Sequence, residues 1–215
     1  MALLAEDGYR RNIVSQWLGF SQIVVDVDIS GADPAIALPE DIFYHIGTKN
    51  KTVAWSNPFT AGDINIYEII NPSTDDRAVM VDRETSNYES RSGLGRALVF
   101  DFDPHMDGRR ISPTGFFFQH GRSSGFRRLR TFSVYGSNGA DVNNTTPELL
   151  LAVDDSNFLP NSGYAWSSFT PTAAPSEPVR FLEIFMDGNN VSGSGNIVCS
   201  ELLLQGTIFA GIRGY

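Results

Sequence analysis

Pro113-Thr114-Gly115-Phe116-Phe117-Phe118-Gln119-His120-Gly121-Arg122-Ser123-Ser124-Gly125-Phe126-Arg127-Arg128-Leu129-Arg130-Thr131-Phe132-Ser133-Val134-Tyr135-Gly136-Ser137-Asn138 is the stretch that decides the fold class. It reads as strand, polar loop, strand and turn. Gly115 to Gln119 is rich in aromatic residues, and Leu129 to Tyr135 alternates. Thr131, Ser133 and Tyr135 fall on one face, and Phe132 and Val134 on the other. The loop between the strands carries His, Arg and Ser, so the pattern suggests a recognition module before an enzyme.

The same reading extends outward. Ile23 to Ile29, Ile64 to Ile70, Ala97 to Phe102, Glu148 to Val153, Val179 to Met186 and Ile197 to Leu204 are strand-like runs. Turn chemistry such as Asn71-Pro72 and Asp103-Pro104 separates them. No strand–helix–strand alternation appears, so a doubly wound parallel sheet is not expected. The expectation is an all-β chain: an antiparallel β-sandwich or jelly roll with a short N-terminal extension. Residues 1–40 would form the extension, with Ile13, Trp17 and Phe20 at rough helical spacing. Residues 41–206 would form the sandwich and 207–215 a tail.

Composition narrows the function. There are 16 Lys and Arg against 25 Asp and Glu, a formal net charge of −9. Phosphate binding needs a basic face, so nucleic acid is not an expected partner. A single cysteine, Cys199, sits in an apolar run and reads as a buried thiol; it allows no internal disulfide. No apolar run reaches membrane-spanning length, so no membrane insertion is expected. The first residues, Met1-Ala2-Leu3-Leu4-Ala5-Glu6-Asp7, lack a basic segment and a long apolar segment. Sec secretion is therefore not expected.

From about Tyr44 to Gly206 the chain resembles the galactose-binding-like β-sandwich of discoidin and coagulation factor 5/8 C-type modules. It is most similar to variants attached to BTB- and HECT-type proteins and to some viral and phage proteins. The resemblance rests on Phe43-Tyr44-His45-Ile46-Gly47-Thr48, Trp55-Ser56-Asn57-Pro58 and Asp82-Arg83-Glu84-Thr85-Ser86-Asn87-Tyr88. It continues through Leu98-Val99-Phe100-Asp101-Phe102, Leu129 to Asn138, Arg180 to Ile184 and Glu201-Leu202-Leu203-Leu204-Gln205-Gly206. The chain departs from the pattern after Gly136-Ser137-Asn138, where the turn is longer and a nearby Trp is missing. The resemblance implies ligand binding by loops at one end of the sandwich.

The ligand candidates it marks are Trp55, Asn57, Arg83, Tyr88, His120, Arg122 and Asn190. Trp55 or Tyr88 could offer a flat face to a sugar ring, and the others directional hydrogen bonds. The competing reading is structural for each: Asn57 before Pro58 and Asn190 after Asn189 are ordinary turn chemistry. Asp101 and Asp103 share a strand face and could hold Ca²⁺, although a solvated strand end is the preferred reading and no cofactor is expected. His120, Ser123 and Asp101 could be named as a triad, but no nucleophile elbow surrounds the serine. The histidines lack metal-ligand spacing. The chain is therefore expected not to be an enzyme.

The primary expectation is a structural or interaction subunit of a large assembly: a decoration, fibre or adaptor protein of a virus or phage particle assembled in a host cytoplasm. Its partners would be other subunits, in a homo-oligomer. Apolar ends such as Trp17-Leu18-Gly19-Phe20 and Ile208-Phe209-Ala210-Gly211-Ile212 favour it. The alternative is a lectin-like adhesion module that binds surface glycans.

Overall fold

The structure is a computed structural model, and it describes residues 21–27, 40–69, 76–84, 88–89, 94–121, 128–155 and 164–210. In chain order the elements are β1 (Ser21–Val25), α1 (Ile42–Gly47), β2 (Asn65–Glu68), a 3-10 helix (Arg77–Val81), β3 (Tyr88–Glu89) and β4 (Gly95–Asp101). Then come β5 (Arg110–His120), β6 (Thr131–Ser137), β7 (Glu148–Asp154), β8 (Trp166–Phe169), β9 (Phe181–Met186) and β10 (Val198–Ala210). They form an antiparallel β-sandwich, as the sequence led us to expect. One sheet has the order β1-β10-β5-β8, with β3 also on β10; the other has the order β2-β4-β9-β6-β7.

Alternation explains the core. Phe116, Phe118, Phe132 and Val134 are fully buried, and Phe118 meets Phe132 across the sheets with ring centroids 5.7 Å apart. Phe169 stacks on both Phe116 and Phe118. Tilted and offset ring contacts of this kind add to what area burial alone contributes. Thr131 and Tyr135, on the opposite face of β6, are half-buried. No helix among the described residues is long and apolar enough to cross a membrane.

Three expectations need correction. The sandwich does not stop at 206: β10 continues to Ala210, and Ile208 is fully buried between β1 and β5. Nor does it begin at 41, because β1 lies within the expected extension and pairs with β10 from Gly206 to Ala210. Strand β5 also starts earlier than the phenylalanine run. It passes through Pro113, which stands opposite Gly206 at a register shift, where a residue without an N–H costs no ladder bond. Gly206 has φ 149°, and an added Cβ there would lie 2.2 Å from the Ser112 carbonyl oxygen, so no other residue fits. The helix expected around Ile13 to Phe20 lies outside the described residues.

A buried ion pair fixes the end of the sandwich where β4 stops and β9 begins. Arg180 Nε and Nη2 donate to the two Asp101 carboxylate oxygens, each at 2.8 Å. Arg180 Nη1 donates to the Ala140 carbonyl at 3.0 Å, and its backbone N–H donates to Asn138 Oδ1 at 3.0 Å. One side chain thus ties the β6–β7 loop to two strands. Removing one partner of such a pair strands a buried charge and costs roughly 3–5 kcal/mol. Arg180→Ala is expected to lower unfolding free energy by that amount in urea titration. Arg130→Ala, which removes an exposed pair with Asp154, should change it by less than about 1 kcal/mol.

Candidate functional site

Six of the seven expected ligand residues lie among the described residues, and three of them, Asn57, His120 and Asn190, are taken up by turns or the core. Trp55 is half-buried, its indole lying against Gly47 at the end of α1. Asn57 is spent on a turn: its Oδ1 accepts from the Phe59 and Thr60 N–H groups, and its Nδ2 donates to the Ala78 carbonyl. Asn190 is 1 % exposed and organises its own loop, accepting from the Ser192 and Ser194 N–H groups and donating to the Asn196 carbonyl. His120 belongs to β5 rather than to a loop and is fully buried. Arg122 lies outside the described residues. Tyr88 and His120 both stand opposite Cys199 of β10 in the strand register.

Asp101 and Asp103, which the sequence offered as a Ca²⁺ pair second to a solvated strand end, are each taken by an arginine. Asp101 is held by Arg180, and Asp103 accepts from Arg110 Nη1 at 2.6 Å and from the Asp107 and Gly108 N–H groups. Their oxygens close turns and ion pairs instead of converging on one point. No group of three or more His, Cys, Asp or Glu fit to hold a metal occurs among the described residues.

Arg83 sits in a different electrostatic setting. Its backbone N–H donates to Glu201 Oε2 at 3.0 Å, its guanidinium lies 3.6 Å from Asp41 Oδ1, and it covers the Tyr44 ring at 4.8 Å. Asp41 caps α1 by accepting from the Tyr44 N–H at 2.9 Å, and its other oxygen accepts from the Leu204 N–H of β10 at 3.2 Å. Asp41 is fully buried, and desolvation pushes its carboxyl up to about 6 despite those donors. Burial, with Asp41 nearby, holds the Glu201 carboxyl well above the usual carboxylate range.

A concave site lies elsewhere. A cleft of about 440 Å³ opens between the β6–β7 loop and the loop before β9, lined by Ser137, Asn138, Thr146, Glu148, Ser176 and Glu177 over a floor that includes Val179. Asn138 Nδ2 donates to Glu177 Oε1 at 3.2 Å and to the Pro178 carbonyl at 3.1 Å. The Ser176 N–H and hydroxyl both donate to Glu148 Oε2 at 2.9 Å. The Ser137 hydroxyl donates to the buried Glu183. The Asn138 amide and the Ser137 and Ser176 hydroxyls therefore donate inward. Glu148 Oε1 and Glu177 Oε2 keep their acceptor capacity, with no ion-pair partner among the described residues. None of these residues was expected as a site residue. Two loops far apart in sequence contribute them, and only the Gly136-Ser137-Asn138 turn had stood out.

No protein-family model matches the sequence, and no curated protein matches it significantly. Several solved structures align with the chain. One is the CBM32-3 module of a family 31 glycoside hydrolase from Clostridium perfringens, at 10 % identity and TM-score 0.49, covering 68 % of this chain and 92 % of that one. Another is a Clostridium perfringens CBM32 module in complex with GalNAc-β-1,3-galactose, at 8 % identity and TM-score 0.45, covering 66 % and 95 %. A third is the lectin domain of lectinolysin complexed with Lewis B antigen, at 13 % identity and TM-score 0.46, covering 65 % and 90 %.

The raised carboxyls set a pH dependence. The folded chain binds their protons more tightly than the unfolded chain does. Their contribution is therefore fully present below the unfolded carboxylate value near 4 and is lost as pH rises through the folded value, about 6 for Asp41. Glu201→Gln keeps an acceptor for the Arg83 N–H and removes one titration. Thermal melts should show this variant more stable than wild type at pH 8, with the gap closing toward pH 4.

Proposed function

We propose that the protein is a non-catalytic recognition module that binds a glycan in the cleft between the β6–β7 loop and the loop before β9. The observation that carries this reading is the imbalance of the cleft's hydrogen-bonding groups. Its amide and serine donors are spent internally, while Glu148 Oε1 and Glu177 Oε2 still accept. A ligand dense in O–H donors matches that surface, and a sugar is such a ligand. A phosphate-rich ligand does not, because it would meet two carboxylates on a chain of net charge −9. The cleft's volume suits one or two sugar rings. Arg180 holds both walls in place without a ligand, so little ordering is left for binding to supply.

The assembly-subunit reading loses part of its basis. Ile208 is a core residue of β10 rather than part of a docking tail. The apolar segment Trp17 to Phe20 lies outside the described residues. A virus or phage role and a homo-oligomer are therefore not part of the proposal.

A glycan array followed by titration calorimetry on its best hit tests the reading. Glu148→Gln with Glu177→Gln replaces the two accepting oxygens by donors and leaves acceptors for Ser176 and Asn138. Each lost charge-assisted bond is worth about 1.5–3 kcal/mol, so affinity should fall by at least tenfold with little change in melting temperature. A blank array, or hits that bind the double variant as tightly as wild type, would count against it.

A further inference from the structure

The cleft between the β6–β7 loop and the loop before β9 carries charge that its own lining does not neutralise. Glu148 is half-buried and Glu177 is exposed. Their carboxylates accept from neutral donors: the Ser176 N–H and hydroxyl for Glu148, and the Asn138 amide for Glu177. Consecutive residues bring the two together, since Ser176 holds Glu148 and Glu177 is the next residue. Arg180, which anchors the adjoining loop, has its guanidinium taken by Asp101 and by the Gly139 and Ala140 carbonyls. Among the described residues that line the cleft, the others are uncharged and none is aromatic. A sugar ring therefore finds no stacking platform there, and polar and charged contacts must carry its binding.

Resting on the reading of this cleft as the glycan site, we propose that its ligand class is amino sugars with a free, protonated amine. An ammonium offers three N–H donors and no acceptor, which suits Glu148 Oε1 and Glu177 Oε2. Bonds between two ionised groups are roughly twice as strong as neutral ones. The ring hydroxyls of a neutral hexose also donate, but they leave both charges uncompensated. N-acetylation removes the charge and two of the three donors. It also adds a carbonyl acceptor where the Asn138 amide and the Ser137 and Ser176 hydroxyls are already engaged. An acidic sugar is repelled. The chain's net charge of −9 draws a cation in from longer range.

Calorimetric titration of the full chain with three β-1,4-linked trimers tests this. They share ring and linkage and differ at the second carbon, which carries an amine (glucosamine trimer), an acetamide (N-acetylglucosamine trimer) or a hydroxyl (cellotriose). At about pH 6, where the amine is protonated, the amine trimer should bind about tenfold tighter than either of the others. Raising salt from about 20 mM to about 500 mM should erase most of that preference. Glu148→Gln with Glu177→Gln should make the three trimers equivalent. Spermidine, which has ammonium groups and no ring, should bind about tenfold more weakly than the amine trimer. The inference is overturned if cellotriose or the acetylated trimer binds as tightly as the amine trimer, or if the preference survives in the double variant. Spermidine binding as tightly as the amine trimer overturns it too, because the cleft would then select a cation and not a sugar. If no trimer binds but an array hit binds and weakens in the double variant, this inference fails and the glycan reading stands. A blank array with no trimer bound removes both.

Discussion

Strand β10 has β5 along one edge, but between Cys199 and Gly206 no described strand covers the other. A central strand cannot leave its N–H groups unsatisfied in a buried setting. The chain meets the constraint with a side chain: the Asp41 carboxylate caps α1 and accepts the Leu204 N–H. Glu201 does the converse, reaching from β10 to take the Arg83 N–H. The gap between β1 and β3 is thereby closed by a helix end and a loop. The cost is two carboxyls placed where water cannot solvate them. Their raised pKa values and the position of Arg83 follow from that choice.

At the end of the sandwich marked by Asp101 and Arg180, the same logic produces a cleft. Arg180 must be paired to be buried, and Asp101 pairs it in bidentate geometry. The remaining guanidinium N–H reaches the β6–β7 loop, and the backbone N–H of the same residue holds Asn138. Asn138 in turn holds Glu177. The pairing of Ser137 with Phe181 brings the two loops together, and Arg180, Asn138 and the Ser176–Glu148 bonds hold their spacing. The shape of the cleft is a consequence of burying a charge, and its acceptor-rich lining is a consequence of spending the nearby donors on that scaffold.

The sandwich was legible because period-2 alternation survives in β6 and β9 and aromatic residues mark β5. Phe116, Phe118, Phe132 and Val134 are core residues for the reason the pattern implies. Helix α1 was not legible: six residues carry too little periodicity, although Asp41 stands at its N-cap. The start of β5 was hidden by Pro113, which reads as a strand stop unless the bulge opposite is known. The site was less legible. Asn57 and Asn190 stand out as polar residues, but their polarity is used to close turns. His120 follows an aromatic run whose end the sequence did not define. The cleft residues left almost no signal, because two separate loops build it.

The reading of the cleft as a glycan site is tested most directly by a ¹H–¹⁵N NMR titration of the assigned protein with the best array hit. Binding there predicts progressive shifts of the Asn138 side-chain amide and the Ser176 and Glu177 backbone amides, with the Asn57 and Asn190 side-chain amides unmoved. Saturable binding that leaves Asn138, Ser176 and Glu177 unshifted would contradict it.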